Sequence, residues 1–213
     1  MLLPFQETEE LLQKYGLPMA RFFTSKDCEA LVQQSQFLEK PLVLKAMSQQ
    51  VVHKTEKKLI ELGIETESQL RSAFARLVER TSDVEVDTFL LQEQKKGIEL
   101  IIGAKKDSSF GPVVMFGFGG INAELLQDIS VRVCPVHEDD VRSLIHETKT
   151  SGFFKPGGFR GRQASEDFIV QMILKTSKML LQEDEILELD FNPVIASERE
   201  AWIADARIIV KDE

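Results

Sequence analysis

Two apolar runs near the C-terminus, each carrying oxygen-bearing side chains, constrain this chain more than any other stretch. The first is Glu188-Leu-Asp-Phe-Asn-Pro-Val-Ile195 and the second contains Ala204-Asp-Ala-Arg207. Ile186 to Ile195 mixes apolar and acidic residues and is broken by Asn-Pro. Trp202 to Val210 reads as a second strand, and Ala196–Ala201 between them fits a hairpin or meander. Asp190 and Asn192 alternate onto one strand face. A paired strand would bring Asp205 beside Asn192. Hard oxygen ligands on adjacent strands suit Mg²⁺, which takes one or two protein groups and fills its shell with water and phosphate oxygens. A polar strand end closed by an Asn-Pro turn accounts for the same residues without a metal.

Length allows one large domain or two lobes: the chain has 213 residues, of which 43% are apolar, enough for a real core. No run of eighteen apolar residues is present, so no membrane span is expected. The N-terminus lacks a basic region and a full apolar segment, which argues against a signal peptide. Cys28 and Cys134 have no metal-ligand spacing and read as buried, reduced thiols of a cytoplasmic protein. A net charge of −9 disfavours nucleic acid, because phosphate-backbone binding needs a basic face. It leaves a nucleotide open, since a few local cations and Mg²⁺ hold a small anion.

Along the chain, Glu7–Tyr15 reads as a short amphipathic helix closed by Gly16-Leu-Pro18. Ala20–Thr24 reads as a strand. Ser25 is placed to cap a helix from Lys26 to about Leu38. Pro41–Ala46 is a β-run, Met47–Lys58 a polar loop, and Lys58–Leu62 a strand stopped by Gly63. Thr66–Arg80 is the clearest helix, with Leu70, Phe74, Leu77 and Val78 at helical spacing behind a capping box. Strands follow at Thr88–Gln92, Ile98–Lys105 and Pro112–Phe116, the last ending in Gly117-Phe-Gly-Gly120. Helices are expected at Glu138–Lys149 and Glu166–Leu181, with a glycine-rich basic loop, Gly152–Gln163, between them. Mixed elements and a hinge near Gln92–Gly97 point to an α+β fold of two lobes.

Taken in order, these segments resemble the ATP-grasp β subunit of NDP-forming acyl-CoA synthetases (acetate–CoA ligase, ADP-forming). The blocks that carry the resemblance are Val43-Leu-Lys45, His53-Lys-Thr55, Leu91-Gln-Glu93, Gly97-Ile-Glu99, Phe110-Gly-Pro-Val-Val-Met-Phe-Gly-Phe-Gly-Gly120, Gly158-Phe-Arg-Gly161 and Glu188-Leu-Asp-Phe-Asn-Pro193. The resemblance runs from Tyr15-Gly-Leu-Pro18 to Asp205-Ala-Arg207. It implies an ATP-grasp fold, with a helical segment at 1–19, one lobe at 20–92 and a second at 93–213, and the nucleotide site between the lobes. It also implies a reversible reaction in which acyl-CoA, ADP and phosphate interconvert with acid, CoA and ATP. The CoA-binding half lies in an α subunit or in another part of a fused chain; this chain is too short to contain it, so a partner is expected.

The same resemblance implies roles residue by residue. Lys45 meets ATP phosphates; a lone lysine at a strand end also snorkels to solvent. His53 is the relay histidine, whose neutral imidazole attacks phosphorus; outside that motif a loop histidine is simply solvated. Gln92 and Glu93 fall where the hinge meets adenine, partly through backbone groups. Glu99 binds the ribose hydroxyls, or is an exposed strand glutamate. Gly117, Gly119 and Gly120 shape the central site. Arg160 and Arg162 steady a travelling phosphoryl group, grip the partner or form a solvated basic loop. Asn192 and Asp205 carry over as Mg²⁺ ligands, and Asp190 as an acid that orients the imidazole. His137 and His146 are given no role. One departure stands out. The family's histidine segment continues Asp-Val-Gly-Gly-Val, where this chain reads Glu56-Lys-Lys-Leu-Ile60, with neither glycine. Lys57 and Lys58 restore positive charge but add bulk. An ATP-grasp domain kept for nucleotide binding or regulation is therefore the alternative to an active β subunit. Another ATP-grasp ligase, succinyl-CoA-synthetase-like or acting alone on a carboxylate, is a third reading.

Overall fold

The computed structural model describes residues 1–48, 59–120 and 128–212. His53, Lys57 and Lys58 lie outside them. The chain forms two compact units, Ala20–Gln94 and Met1–Met19 with Lys95–Glu213. The N-terminal segment is thus part of the larger unit and not a separate piece, and the boundary falls just after Gln94.

The smaller unit holds a four-stranded antiparallel sheet in the order β1-β4-β2-β3, made of β1 (Phe22–Ser25), β2 (Leu42–Met47), β3 (Ile60–Ile64) and β4 (Thr88–Glu93). Two helices, α2 (Cys28–Ser35) and α3 (Glu67–Arg80), pack on it. Their Leu31, Leu70, Ala73 and Leu77 close a core with Leu44, Ala46, Phe89 and Leu91. Local chemistry sets the helix starts. Thr66 and Gln69 exchange a full capping box. Asp27, not Ser25, caps α2: its carboxylate accepts the Glu29 and Ala30 N–H groups, while Ser25 Oγ accepts the Asp27 N–H. Ser25 stands three residues before the helix, so its hydroxyl meets the Asp27 N–H, and Asp27 holds the capping position itself. Gly63 does not stop β3. It sits within the strand at φ +72°, and Gln94 Oε1 accepts its N–H at 2.8 Å.

The larger unit is a six-stranded sheet ordered β10-β8-β5-β6-β7, with β9 paired to β8. Its strands are β5 (Ile98–Asp107), β6 (Gly111–Phe118), β7 (Ile129–Val133), β8 (Ile186–Ala196), β9 (Ala201–Ile203) and β10 (Ala206–Val210). Among the described residues three helices belong to this unit: α1 (Phe5–Lys14), α4 (Glu138–His146) and α5 (Glu166–Gln182). Val141, Leu144, Ile169 and Ile173 of α4 and α5 join Ile102, Phe116, Leu189 and Phe191 in one core. Helix α1 ends at Gly16 (φ +63°), where the Gly16 and Leu17 N–H groups turn back to the Gln13 and Leu12 carbonyls. A short 3₁₀ turn, Lys149–Phe153, replaces the end of the helix expected to reach Lys149.

Three features of this sheet depart from the sequence reading. Strand β7 was not anticipated. Strand β8 runs unbroken through Asn192-Pro193, because the ladder to β5 shifts register there and Pro193 is not needed as a donor. The run from Trp202 to Val210 is instead divided at Ala204-Asp205 into β9 and β10.

Candidate functional site

In the larger unit, inward residues such as Ile102, Phe116, Leu189 and Phe191 face the helices. By alternation Glu99, Gly103, Met115, Asp190 and Asn192 then lie on the opposite face. The end of β6 meets the start of β5 and the middle of β8 on that side. The Gly119 N–H donates to the Glu99 carbonyl at 3.0 Å, and the Gly120 N–H donates to Asn192 Oδ1 at 2.8 Å. The Asn192 N–H donates in turn to the Asp205 carbonyl at 3.1 Å. Asn192 and Asp205 are thus adjacent, as the strand pairing anticipated.

The glycines are what permit this approach. A Cβ on Gly119 would lie 2.2 Å from the Leu100 carbonyl oxygen, and one on Gly120 would lie 2.0 Å from Glu99 Oε2. Gly120 also holds φ +60°, a backbone shape that side chains resist. The Gly-Phe-Gly-Gly run after an apolar strand was the available signal. Its consequence, a half-buried Glu99 carboxylate packed on backbone, was not readable from spacing.

Asp190 has the most perturbed environment in the cluster. Its carboxyl is pushed up to about 6, first by burial and then by the negative charge of Asp205, with Arg207 opposing. Among the described residues its buried Oδ1 has no hydrogen-bond partner, and neither has Arg207 Nε, on the residue directly opposite Asp190 in the β8–β10 ladder. Buried polar atoms are nearly always satisfied. The Asp205 carboxylate and the Asn192 amide oxygen are a mixed donor set that fits a hard divalent cation, with the Asp190 carboxylate close by. Asn192 Oδ1 keeps a second lone pair beyond the one that receives Gly120. Among the described residues no three His, Cys, Asp or Glu side chains gather as a metal cluster, so the fit rests on this mixed set.

In the smaller unit, Lys45 is 6% exposed and does not snorkel. Its Nζ donates to Gln92 Oε1 at 2.9 Å, and Gln92 Nε2 donates to the Ala20 carbonyl at 3.3 Å. A buried ammonium needs such partners. The Gln92 side chain is therefore occupied in holding Lys45, a role that spacing did not suggest. Glu93 is also turned inward: its Oε1 accepts the Glu39 N–H at 3.1 Å and lies 3.7 Å from Arg21.

Arg160 sits at the exposed tip of a tight turn closed by paired hydrogen bonds between Phe159 and Arg162. Arg160 (φ 54°) and Gly161 (φ +74°) both take the positive angles of a type I′ turn. The Arg160 guanidinium lies 5.3 Å from the Phe159 ring centroid and, among the described residues, takes no part in the hydrogen bonds of the Glu99–Asn192 cluster. Arg162 instead donates to the Gly97 carbonyl at 2.7 Å and, with Lys96 and Arg199, lines an open cleft of about 610 Å³. Cys28 is half-buried and Cys134 buried, and both are free thiols.

The fold agrees with the comparisons. The model of the ATP-grasp domain matches residues 1–210. The β subunit of acetate–CoA ligase (ADP-forming) II from Pyrococcus furiosus is 34% identical over 214 residues, covering 96% of this chain and 90% of that one. Acetate–CoA ligase (ADP-forming) II from Archaeoglobus fulgidus is 34% identical over 211 residues, but this chain spans only 30% of its length. Among solved structures, the dinucleotide-forming acetyl-coenzyme A synthetase 1 of Korarchaeum cryptofilum, in complex with coenzyme A and Ca-AMPCP, superposes with a TM-score of 0.91 at 34% identity, covering 99% of this chain and 93% of that one. The same enzyme is also known with Mg-AMPPCP and a phosphohistidine segment pointing towards the nucleotide binding site. The chain belongs to the ATP-grasp family. Within it, two of the relatives just described are named ADP-forming acetate–CoA ligases, the one from Pyrococcus furiosus as a β subunit.

Proposed function

We propose that this chain is the nucleotide-binding β subunit of an ADP-forming acyl-CoA synthetase, working in the cytoplasm with a CoA-binding α subunit. The observation that carries the reading is the meeting of Glu99, Gly120, Asn192 and Asp205 at one end of the large sheet, in a chain covering 90% of a named β subunit. Asn192 and Asp205 would hold Mg²⁺, which would offset charge on the ATP oxygens. Glu99 would accept hydrogen bonds from the ribose hydroxyls. Lys45 would neutralise phosphate, and Gln92 and Glu93 would meet the adenine through backbone groups, their side chains being engaged elsewhere. His53 would carry the phosphoryl group between the nucleotide and the acyl phosphate formed on the partner. Asp190 would orient the imidazole and Arg160 would steady the group in transit. Phosphoryl transfer asks mainly for such positioning and charge neutralisation.

The test is incubation with γ-labelled ATP and Mg²⁺, with and without the α partner. Label that is acid-labile, base-stable and lost in His53→Ala supports the relay. Acyl-CoA synthesis by His53→Ala with its partner would overturn it. One observation favours a second reading, nucleotide binding with little turnover. Leu59, inside the stretch where the family has paired glycines, is fully buried in the core of the smaller unit, and its carbonyl accepts the Ala46 N–H at 3.0 Å. Under that reading Mg·ATP binds and no acid-labile label forms.

A further inference from the structure

The two edges of the large sheet are treated differently. Edge strands offer unpaired N–H and C=O groups, and proteins usually blunt them with lysine, proline, bulges or a covering segment. At β10 the N-terminus supplies the cover: the Leu3 N–H donates to the Ile208 carbonyl and the Val210 N–H to the Met1 carbonyl. At β7 none of these devices is present among the described residues. The strand reads Ile129-Ser-Val-Arg-Val133, with no lysine, proline or bulge, and pairs only with β6 among the described strands.

Its geometry shows which groups face outward. The Cys134 N–H donates to the Pro112 carbonyl at 2.7 Å, which makes that pair a hydrogen-bonded one. Such pairs alternate along an antiparallel ladder. Arg132 and Ser130 therefore bond to β6, while Ile129, Val131 and Val133 turn their N–H and C=O groups to the free edge. The side chains of these same three residues are 50%, 47% and 51% exposed. The Val131 carbonyl receives Arg132 Nη1 at 2.9 Å and retains a second lone pair.

We infer that β7 is a docking edge for a second copy of this chain, joined antiparallel about a two-fold axis through Val131. The pattern is self-complementary. Val131 would face Val131 of the second copy, and Ile129 would face Val133, so each pair exchanges two hydrogen bonds and stacks β-branched side chains. On the other face Ser130 would oppose Arg132. No like charges would meet, because Arg132 is already bound by Glu147 of its own chain, Nη2 to Oε1 at 2.5 Å. The edge is defined by backbone geometry and stands whether or not the chain binds a nucleotide.

Light scattering on the full-length chain through a dilution series is expected to give twice the monomer mass of 24.2 kDa, with Val131→Lys at the monomer mass. Circular dichroism should show both equally folded, since Val131 is not in the core. The register is read by cross-linking in a Cys28→Ser background. Opposed residues in hydrogen-bonded pairs stand about 5.5 Å apart at Cα, within disulfide reach. Under mild oxidation Val131→Cys should cross-link with itself. Ile129→Cys alone should not, because its copies lie roughly 13 Å apart at strand rise, but it should cross-link to Val133→Cys in a mixture. A monomer at every concentration overturns the inference. So does a dimer that Val131→Lys leaves intact, or one in which Ile129→Cys cross-links as well as Val131→Cys. Loss of a co-purifying partner by Val131→Lys, with no homodimer in the wild type, would give the edge to that partner and likewise overturn it.

Discussion

Substituting Gly120 by alanine separates two roles of one glycine. The new Cβ would lie 2.0 Å from Glu99 Oε2, and the residue would have to keep φ +60°. The angle alone costs an L-residue about 1–2 kcal/mol. For a chain of this size that lowers the melting temperature by roughly 2–8 °C. The steric clash falls on the far end of a flexible side chain, so Glu99 moves aside cheaply and loses its aim. If Glu99 accepts ribose hydroxyls, one lost charged hydrogen bond is worth about 1.5–3 kcal/mol, or roughly 10- to 150-fold in Mg·ATP affinity. Gly111→Ala is the control. It has φ +74° and no atom within 4 Å of its Cβ, so it carries the backbone strain without the displacement. Calorimetric titration with Mg·ATP should show a loss in Gly120→Ala and none in Gly111→Ala, with similar melting shifts in both. Adding Glu99→Ala to Gly120→Ala should cost little further affinity, since the two act on one contact. Equal nucleotide affinity in the two alanine variants would refute the role of Glu99.

Other outcomes follow from the same structure. Gln92→Leu removes the Oε1 that accepts Lys45 Nζ and so takes one hydrogen bond from a buried ammonium. A penalty of about 1–3 kcal/mol should appear as a lower melting temperature, and Gln92→Glu should recover most of it. Asn192→Ala with Asp205→Ala should weaken Mg·ATP binding while the circular dichroism spectrum is unchanged; unaltered calorimetric affinity would remove the metal assignment. The Glu147 carboxyl is held down at about 2, chiefly by hydrogen bonds from Arg132 and then from Ser130. Its folded pKa lies below its unfolded one, so its contribution is complete above about pH 4.5 and is lost as pH falls towards 2. Thermal melts should therefore show a flatter acid limb for Glu147→Gln than for wild type, and parallel curves would contradict the pairing.

What the sequence revealed divides by the range of the interactions. Helix α3 was legible because its signals are local: Thr66 and Gln69 are three residues apart and the apolar stripe lies on one face. The pairing of Asn192 with Asp205 was legible because a short hairpin fixes the partner strand. Strand β7 carries a local signal, the apolar/polar alternation of Ile129-Ser-Val-Arg-Val133, but five residues are short and only the ladder to β6 fixes them as a sheet strand. Continuity of β8 through Pro193 was hidden for a related reason: only the register shift against Leu100 and Ile102 shows that its missing N–H is not required. Lys45 is the sharpest case. Spacing offered a cation at a strand end, whereas its burial and its bond to Gln92 depend on the diagonal neighbour across β2 and β4.

The missing glycine pair is best understood through Leu59. Glycine in that stretch would leave the backbone free to approach an anion, but would contribute nothing to packing. Leucine there is fully buried beside Leu44, Ala46 and Leu70. Burying such a side chain is worth about 1.5–3 kcal/mol, a large share of the margin on which a small unit folds. The substitution thus has a structural return whatever it does to the nucleotide. Leu59→Gly would remove that side chain from the core and give the backbone there the freedom of glycine at once. The two effects have opposite signs in different assays: melting temperature must fall through the cavity, while Mg·ATP affinity rises only if the bulky stretch now obstructs the phosphates. A variant that melts lower and binds nucleotide no better would show that Leu59 serves the core and that the loop was never impaired by it.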